Sequence, residues 1–97
     1  MEYNANKFKK QGNKAYKFGD ERKALSYYNK AIKINPRDPA FYLNRSLCYY
    51  NMKHYEQCIK ECDKSLQLNP VYIKSLKKKS AALVQLLKFE EALKVLK

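Results

Sequence analysis

The sequence has no tryptophan, and only two glycines and three prolines occur among its 97 residues. Because glycine and proline most often interrupt regular structure, their scarcity favours long helices joined by short connections. No apolar run approaches the roughly 18 residues that a transmembrane helix needs. The N-terminal stretch, Met-Glu-Tyr-Asn-Ala-Asn-Lys, lacks the apolar centre of a secretory signal peptide. The sequence therefore predicts helices, no membrane insertion by this segment, and a cytoplasmic protein.

Acidic residues are also scarce, since nine Asp and Glu stand against 21 Lys and Arg and the formal net charge is +12. A charge of this size implies an acidic partner, which could be nucleic acid, an anionic membrane or an acidic peptide. Three cysteines, an odd number without a secretory signal, predict reduced thiols. Cys58 and Cys62 are four residues apart and could share a metal. The only histidine that could join them, His54, is expected in a turn. Buried free thiols and no metal or other cofactor are therefore expected.

The chain repeats itself with a period of 34 residues. Residues 24–36, Ala-Leu-Ser-Tyr-Tyr-Asn-Lys-Ala-Ile-Lys-Ile-Asn-Pro, return as residues 58–70, Cys-Ile-Lys-Glu-Cys-Asp-Lys-Ser-Leu-Gln-Leu-Asn-Pro. A third copy begins at Ala92, and the sequence stops inside it. A fixed period of this length is typical of proteins in which pairs of helices stack side by side. We expect a domain cut from a longer chain, without its capping helix.

Apolar residues spaced three and four apart predict six amphipathic helices, arranged as three antiparallel pairs. Gly19 is expected to end the first helix, and Asp20 and Asp38 are expected to cap the second and third. Gly12, inside the first helix, indicates that a neighbouring helix passes close by. The predicted bounds are about 2–17, 21–34, 39–52, 55–68 and 72–87, with a turn at Lys88 and a sixth helix from Phe89 to the end.

The three copies share residues at fixed spacings. The first copy supplies Gly12-Asn-Lys-Ala-Tyr16, Ala24, Tyr28, Ala31 and Pro36; the second supplies Tyr42, Ser46, Tyr49, Cys58, Cys62, Ser65 and Pro70; the third supplies Leu76, Ser80, Leu83, Ala92 and Leu96. At these mutual spacings the residues resemble the tetratricopeptide repeat. Phe8, Tyr42 and Leu76 replace the family's usual tryptophan. The resemblance implies a single all-α domain spanning residues 1–97. Its three helix-turn-helix repeats, about 5–38, 39–72 and 73–97, would stack as a right-handed α-solenoid with a concave groove.

The resemblance also implies a binding site in the groove, the two-carboxylate clamp of co-chaperone domains. Such domains hold the C-terminal Glu-Glu-Val-Asp of cytosolic heat-shock chaperones of the 70 and 90 classes. The family's usual arginine is replaced here by Lys78, which keeps the charge without the planar fork. Lysines facing one small volume repel each other unless an anion lies between them, and asparagines donate without adding repulsion. The matching positions are Lys9, Asn13, Asn44, Lys74 and Lys78, and Leu47, Tyr50, Ala81 and Val84 are expected to contact the ligand from the groove floor.

The sequence thus predicts a monomeric, non-catalytic module that binds the C-terminal peptide of these chaperones. We expect the acidic residues on helix surfaces, without a catalytic arrangement. An alternative is a regulatory or import-receptor repeat domain of a larger protein, such as a phosphatase, a prolyl isomerase or a mitochondrial outer-membrane receptor. Nucleic-acid binding through bulk positive charge is a third hypothesis. It is disfavoured because the sequence lacks a basic patch with stacking aromatics, and no nucleic-acid partner is expected.

Overall fold

The computed structural model describes the backbone of residues 2–96 and the side chains of residues 4–88 and Glu90. Every regular element within this range is an α-helix, so the predicted all-α class is confirmed for the described part of the chain. In that part, no helix has the length and apolar character needed to cross a membrane. The helices are α1 (Glu2–Lys17), α2 (Glu21–Ile34), α3 (Pro39–Asn51), α4 (Tyr55–Leu68) and α5 (Ile73–Leu96).

The helix ends form where turn and capping residues occur in the sequence. Asp20 and Asp38 cap α2 and α3, because each carboxylate accepts a hydrogen bond from a first-turn backbone N–H, at 3.1 and 3.0 Å. Gly19, between α1 and α2, has a φ of 80°, which glycine adopts without steric cost. Asn35 and Asn69 follow α2 and α4, and each side chain accepts a backbone N–H two residues further on. The predicted caps at Asp20 and Asp38 and the predicted helix end at Gly19 are confirmed.

Helices α1 and α2 approach closely at Gly12. A Cβ atom at this position would lie 2.5 Å from Cε1 of Tyr28, well inside any normal carbon–carbon contact. Only glycine therefore lets the Tyr28 ring pack against the backbone of α1, and this ring is 2% exposed. The close approach predicted from Gly12 is confirmed.

The odd-numbered helices lie next to one another, with α3 in contact with both α1 and α5. Helix α2 packs against α1 and α3, and α4 packs against α3 and α5. Small side chains at the repeated positions are fully buried in these contacts, as the period predicts. They include Ala24, Ala31, Cys58, Cys62 and Ser65. Cys48 is buried as well, and all three thiols are free, as predicted.

Helix α5 corrects the prediction of a turn at Lys88, because its backbone stays helical from Ile73 to Leu96. The turns between α1 and α2 and between α3 and α4 each contain a residue with positive φ, Gly19 at 80° and Lys53 at 64°. The next position in the 34-residue period is Leu87, and a leucine is disfavoured in this conformation. The residues that follow contain neither glycine nor proline. Helix α5 therefore continues where α1 and α3 end.

Glu61 corrects a second expectation, that the acidic residues lie on helix surfaces. Its side chain is 1% exposed and lies between α3 and α4. Arg45 donates from Nε to Glu61 Oε1 at 2.8 Å and also bonds this oxygen through Nη2. Lys64 reaches Oε2 at 3.3 Å, and Arg45 Nη1 donates to Asn29 of α2 at 3.0 Å. This network joins the first two helical hairpins through one buried carboxylate.

Candidate functional site

The predicted site residues lie on three neighbouring helices. On each helix they are three or four residues apart, so they share one face. Because α3 lies between α1 and α5, the site extends over one continuous layer of helices. Lys9 and Asn13 lie on α1; Asn44, Leu47 and Tyr50 lie on α3; Lys74, Lys78, Ala81 and Val84 lie on α5.

Asn13 is half-buried, and its side-chain oxygen is already engaged. The Tyr28 hydroxyl donates to Asn13 Oδ1 at 2.6 Å. An asparagine amide has one accepting and one donating end. The hydrogen bond occupies the accepting end, so the two Nδ2–H groups remain to bind a ligand. Asn13 is therefore oriented as a donor.

Lys78 and Tyr50 are in direct contact across α5 and α3. The Lys78 ammonium lies 4.0 Å from the centroid of the Tyr50 ring, a distance typical of a cation–π interaction. Tyr50 in turn meets the Tyr55 ring edge-on, with 5.3 Å between centroids, and packs beside buried Cys58 and Cys62. The ring thus holds the ammonium group of Lys78 beside α3.

The predicted clamp lysines have no carboxylate partner among the described side chains. The salt bridges found there involve Arg45, Lys64 and Lys79. Lys9 and Lys78 are half-buried and Lys74 is exposed. Three unneutralised positive charges on one layer of helices create a potential that attracts an anion.

A hydrogen bond links α1 to α3 on this layer. Asn51 Nδ2 donates to the Tyr16 hydroxyl at 2.9 Å. The sequence does not predict this link, nor the one between Tyr28 and Asn13. Tyr28 matched a packing position of the repeat, and nothing in its spacing showed that its hydroxyl reaches a site residue.

Several features of the described residues lie outside the predicted site. Burial raises the pKa of the Cys48 thiol to about 12, so this thiol stays protonated at neutral pH. Within residues 4–88 and Glu90, no three His, Cys, Asp or Glu side chains are placed to share a metal ion. A cavity of about 840 Å³ at the α3–α4 turn is lined by Tyr49, His54, Tyr55 and Leu86, among others, and by none of the predicted site residues.

Paired helices with a 34-residue period, glycine at the close contact and small residues at the buried positions define a tetratricopeptide-repeat domain. The family model described as "Anaphase-promoting complex, cyclosome, subunit 3" matches residues 17–97. The chain belongs to this family of tetratricopeptide-repeat sequences.

Similar proteins include several with co-chaperone names. The Hsp70/Hsp90 co-chaperone CNS1 of Saccharomyces cerevisiae is 38% identical over 92 residues, covering 91% of this chain and 24% of that protein. Human serine/threonine-protein phosphatase 5 is 32% identical over 90 residues, covering 93% of this chain and 18% of that protein. The chain thus spans about a quarter or less of the curated relatives it matches.

Among the similar solved structures is one that contains a bound peptide. It is the first tetratricopeptide domain of Spaghetti (RPAP3) bound to the HSP90 peptide SRMEEVD. That domain is 32% identical to this chain with a TM-score of 0.86, and the match covers 95% of this chain and 75% of that one. The bound peptide of that structure is acidic and ends in Glu-Glu-Val-Asp.

Proposed function

We propose that the chain is a non-catalytic peptide-binding module for the C-terminal Glu-Glu-Val-Asp of heat-shock chaperones of the 70 or 90 class. The observation that carries the proposal is the set of clamp lysines without carboxylate partners on one layer of helices. Asn13, oriented as a donor, lies on the same layer. The peptide-bound RPAP3 domain, similar in fold and sequence, supports the choice of ligand.

The proposed mechanism assigns a carboxylate to each group of clamp residues. Lys9, Asn13 and Asn44 hold the terminal main-chain carboxylate and the Asp side chain, because hydrogen bonds to charged groups are stronger than neutral ones. Lys74 and Lys78 add positive charge for the second carboxylate and for upstream acidic residues. A flexible peptide loses conformational entropy on binding, so we expect a Kd on the order of micromolar that rises with salt.

The floor of the groove is proposed to contact the apolar part of the peptide. Leu47, Tyr50 and Ala81 contact the apolar Val and the residues before it. Residues 1–97 act as a monomeric domain of three sequence repeats, about 5–38, 39–72 and 73–97, in a right-handed solenoid whose third repeat is the single helix α5. In a larger protein such as the phosphatase relative, the groove is unchanged and the chemistry lies outside these residues.

Asn44→Ala is the variant that tests the clamp. We expect its Kd for a labelled peptide ending in Met-Glu-Glu-Val-Asp to rise at least about tenfold, because a hydrogen bond to a charged group is lost. Fluorescence anisotropy measures this change. The control is Gln67→Ala, which removes an exposed amide from α4 and should leave the Kd unchanged. Equal Kd values for both variants would contradict the proposal and favour nonspecific charge attraction, including binding of nucleic acid.

A further inference from the structure

The Tyr28 ring lies in the core, but its hydroxyl reaches the candidate site. The ring packs against Gly12 of α1 on one side and belongs to the same buried cluster as Ala15, Ala24 and Cys48. From this position between α1 and α3, the hydroxyl donates to Asn13 Oδ1. A residue of α2 thus contacts a predicted ligand-binding residue of α1.

The orientation of an asparagine amide decides whether it attracts or repels a carboxylate. With Nδ2 toward the ligand, Asn13 donates; rotated by half a turn, it presents its carbonyl oxygen to a negative charge. Rotation would exchange the present hydrogen bond for one from Nδ2–H to the Tyr28 oxygen and would turn Oδ1 toward the ligand carboxylate. Only the present orientation therefore suits both the hydroxyl and the carboxylate. Burial raises the Tyr28 pKa well above its usual range, so the hydroxyl keeps its proton and remains available to donate.

We infer that Tyr28 is a positioning residue, whose buried hydroxyl fixes the Asn13 amide so that it donates to the carboxylate of the bound peptide. The inference rests on the proposed function of the same site. It adds a residue outside the groove to the determinants of affinity.

Tyr28→Phe tests the inference because it removes one oxygen and keeps the ring that packs on Gly12. We expect the Kd for the free-acid peptide to rise about three- to tenfold, the value of one hydrogen bond. In an Asn13→Ala background, the same substitution should change the Kd less than twofold. The matched control is Tyr27→Phe, which removes the hydroxyl of another tyrosine of α2. This variant should bind the peptide with the Kd of the native chain.

Two results would overturn the inference. One is an unchanged Kd for Tyr28→Phe; the other is an equal loss of affinity from this substitution in the native and the Asn13→Ala backgrounds. A second measurement does not depend on any variant. In a ¹H–¹⁵N spectrum of the native chain, the Asn13 Nδ2 protons should shift with the free-acid peptide, and unmoved signals would also overturn it. If the native chain binds the free acid more tightly than the C-terminal amide and Tyr28→Phe leaves the Kd unchanged, only the inference fails. If the native chain shows no such preference, the proposed function fails and the inference with it.

Discussion

Replacing Glu61 with alanine should lower the free energy of unfolding by about 3 kcal/mol. Removing one partner of a buried ion pair costs about 3–5 kcal/mol, because the other charge is left without compensation. The lower end applies since the Arg45 side chain is 16% exposed and keeps its bond to Asn29. Urea denaturation, monitored by the circular dichroism signal of the helices, measures the change in the free energy of unfolding.

Glu56→Ala is the control for this prediction, because Glu56 also lies on α4 but is exposed. Its removal should cost less than about 1 kcal/mol, the range of an exposed charge near a helix N-terminus. Equal denaturation midpoints for the Glu61 and Glu56 variants would show that the buried network does not stabilise the fold.

Reversing the charge of Lys74 should weaken peptide binding about thirtyfold or more. Lys74→Glu replaces attraction with repulsion at a site proposed to face two carboxylates, and the loss should shrink as salt screens the charges. Because Lys74 is exposed, the fold should tolerate the change. Anisotropy titrations at low and high ionic strength measure both effects.

Lys60→Glu is the control that separates the effect of a charge at the predicted site from the effect of the total charge. Lys60 is an exposed residue of α4 outside the predicted site, and its reversal alters the net charge by the same amount. We expect its Kd to change less than about threefold. If Lys60→Glu and Lys74→Glu weaken binding equally, the peptide responds to the total charge of the protein and no clamp exists.

The elements that depend on local chemistry could be predicted from the sequence. Asp20 and Asp38 cap helices because their side chains reach nearby backbone N–H groups, and Gly12 is required because the Tyr28 ring packs against it. The predicted turn at Lys88 is wrong because Leu87 stands at the position that has positive φ in the turns at Gly19 and Lys53. A period predicts where a turn belongs, but the residue there must also adopt its backbone conformation.

The contacts between helices could not be predicted in the same way. Arg45 and Glu61 are 16 residues apart, and no local pattern shows that one buried carboxylate will collect several donors. The Tyr28 hydroxyl is 15 residues away in sequence from the amide it bonds, and no local spacing indicates that contact. The predicted clamp positions rest on a family resemblance, so their role in binding the peptide stays a prediction.

The most direct test of the central claim compares one peptide in two forms on the native chain. A peptide ending in Met-Glu-Glu-Val-Asp is titrated as the free acid and as the C-terminal amide, by anisotropy in the same buffer. A clamp for the terminal carboxylate predicts saturable binding of the acid with a Kd on the order of micromolar, and at least about tenfold weaker binding of the amide. Equal affinity for the two forms would contradict it.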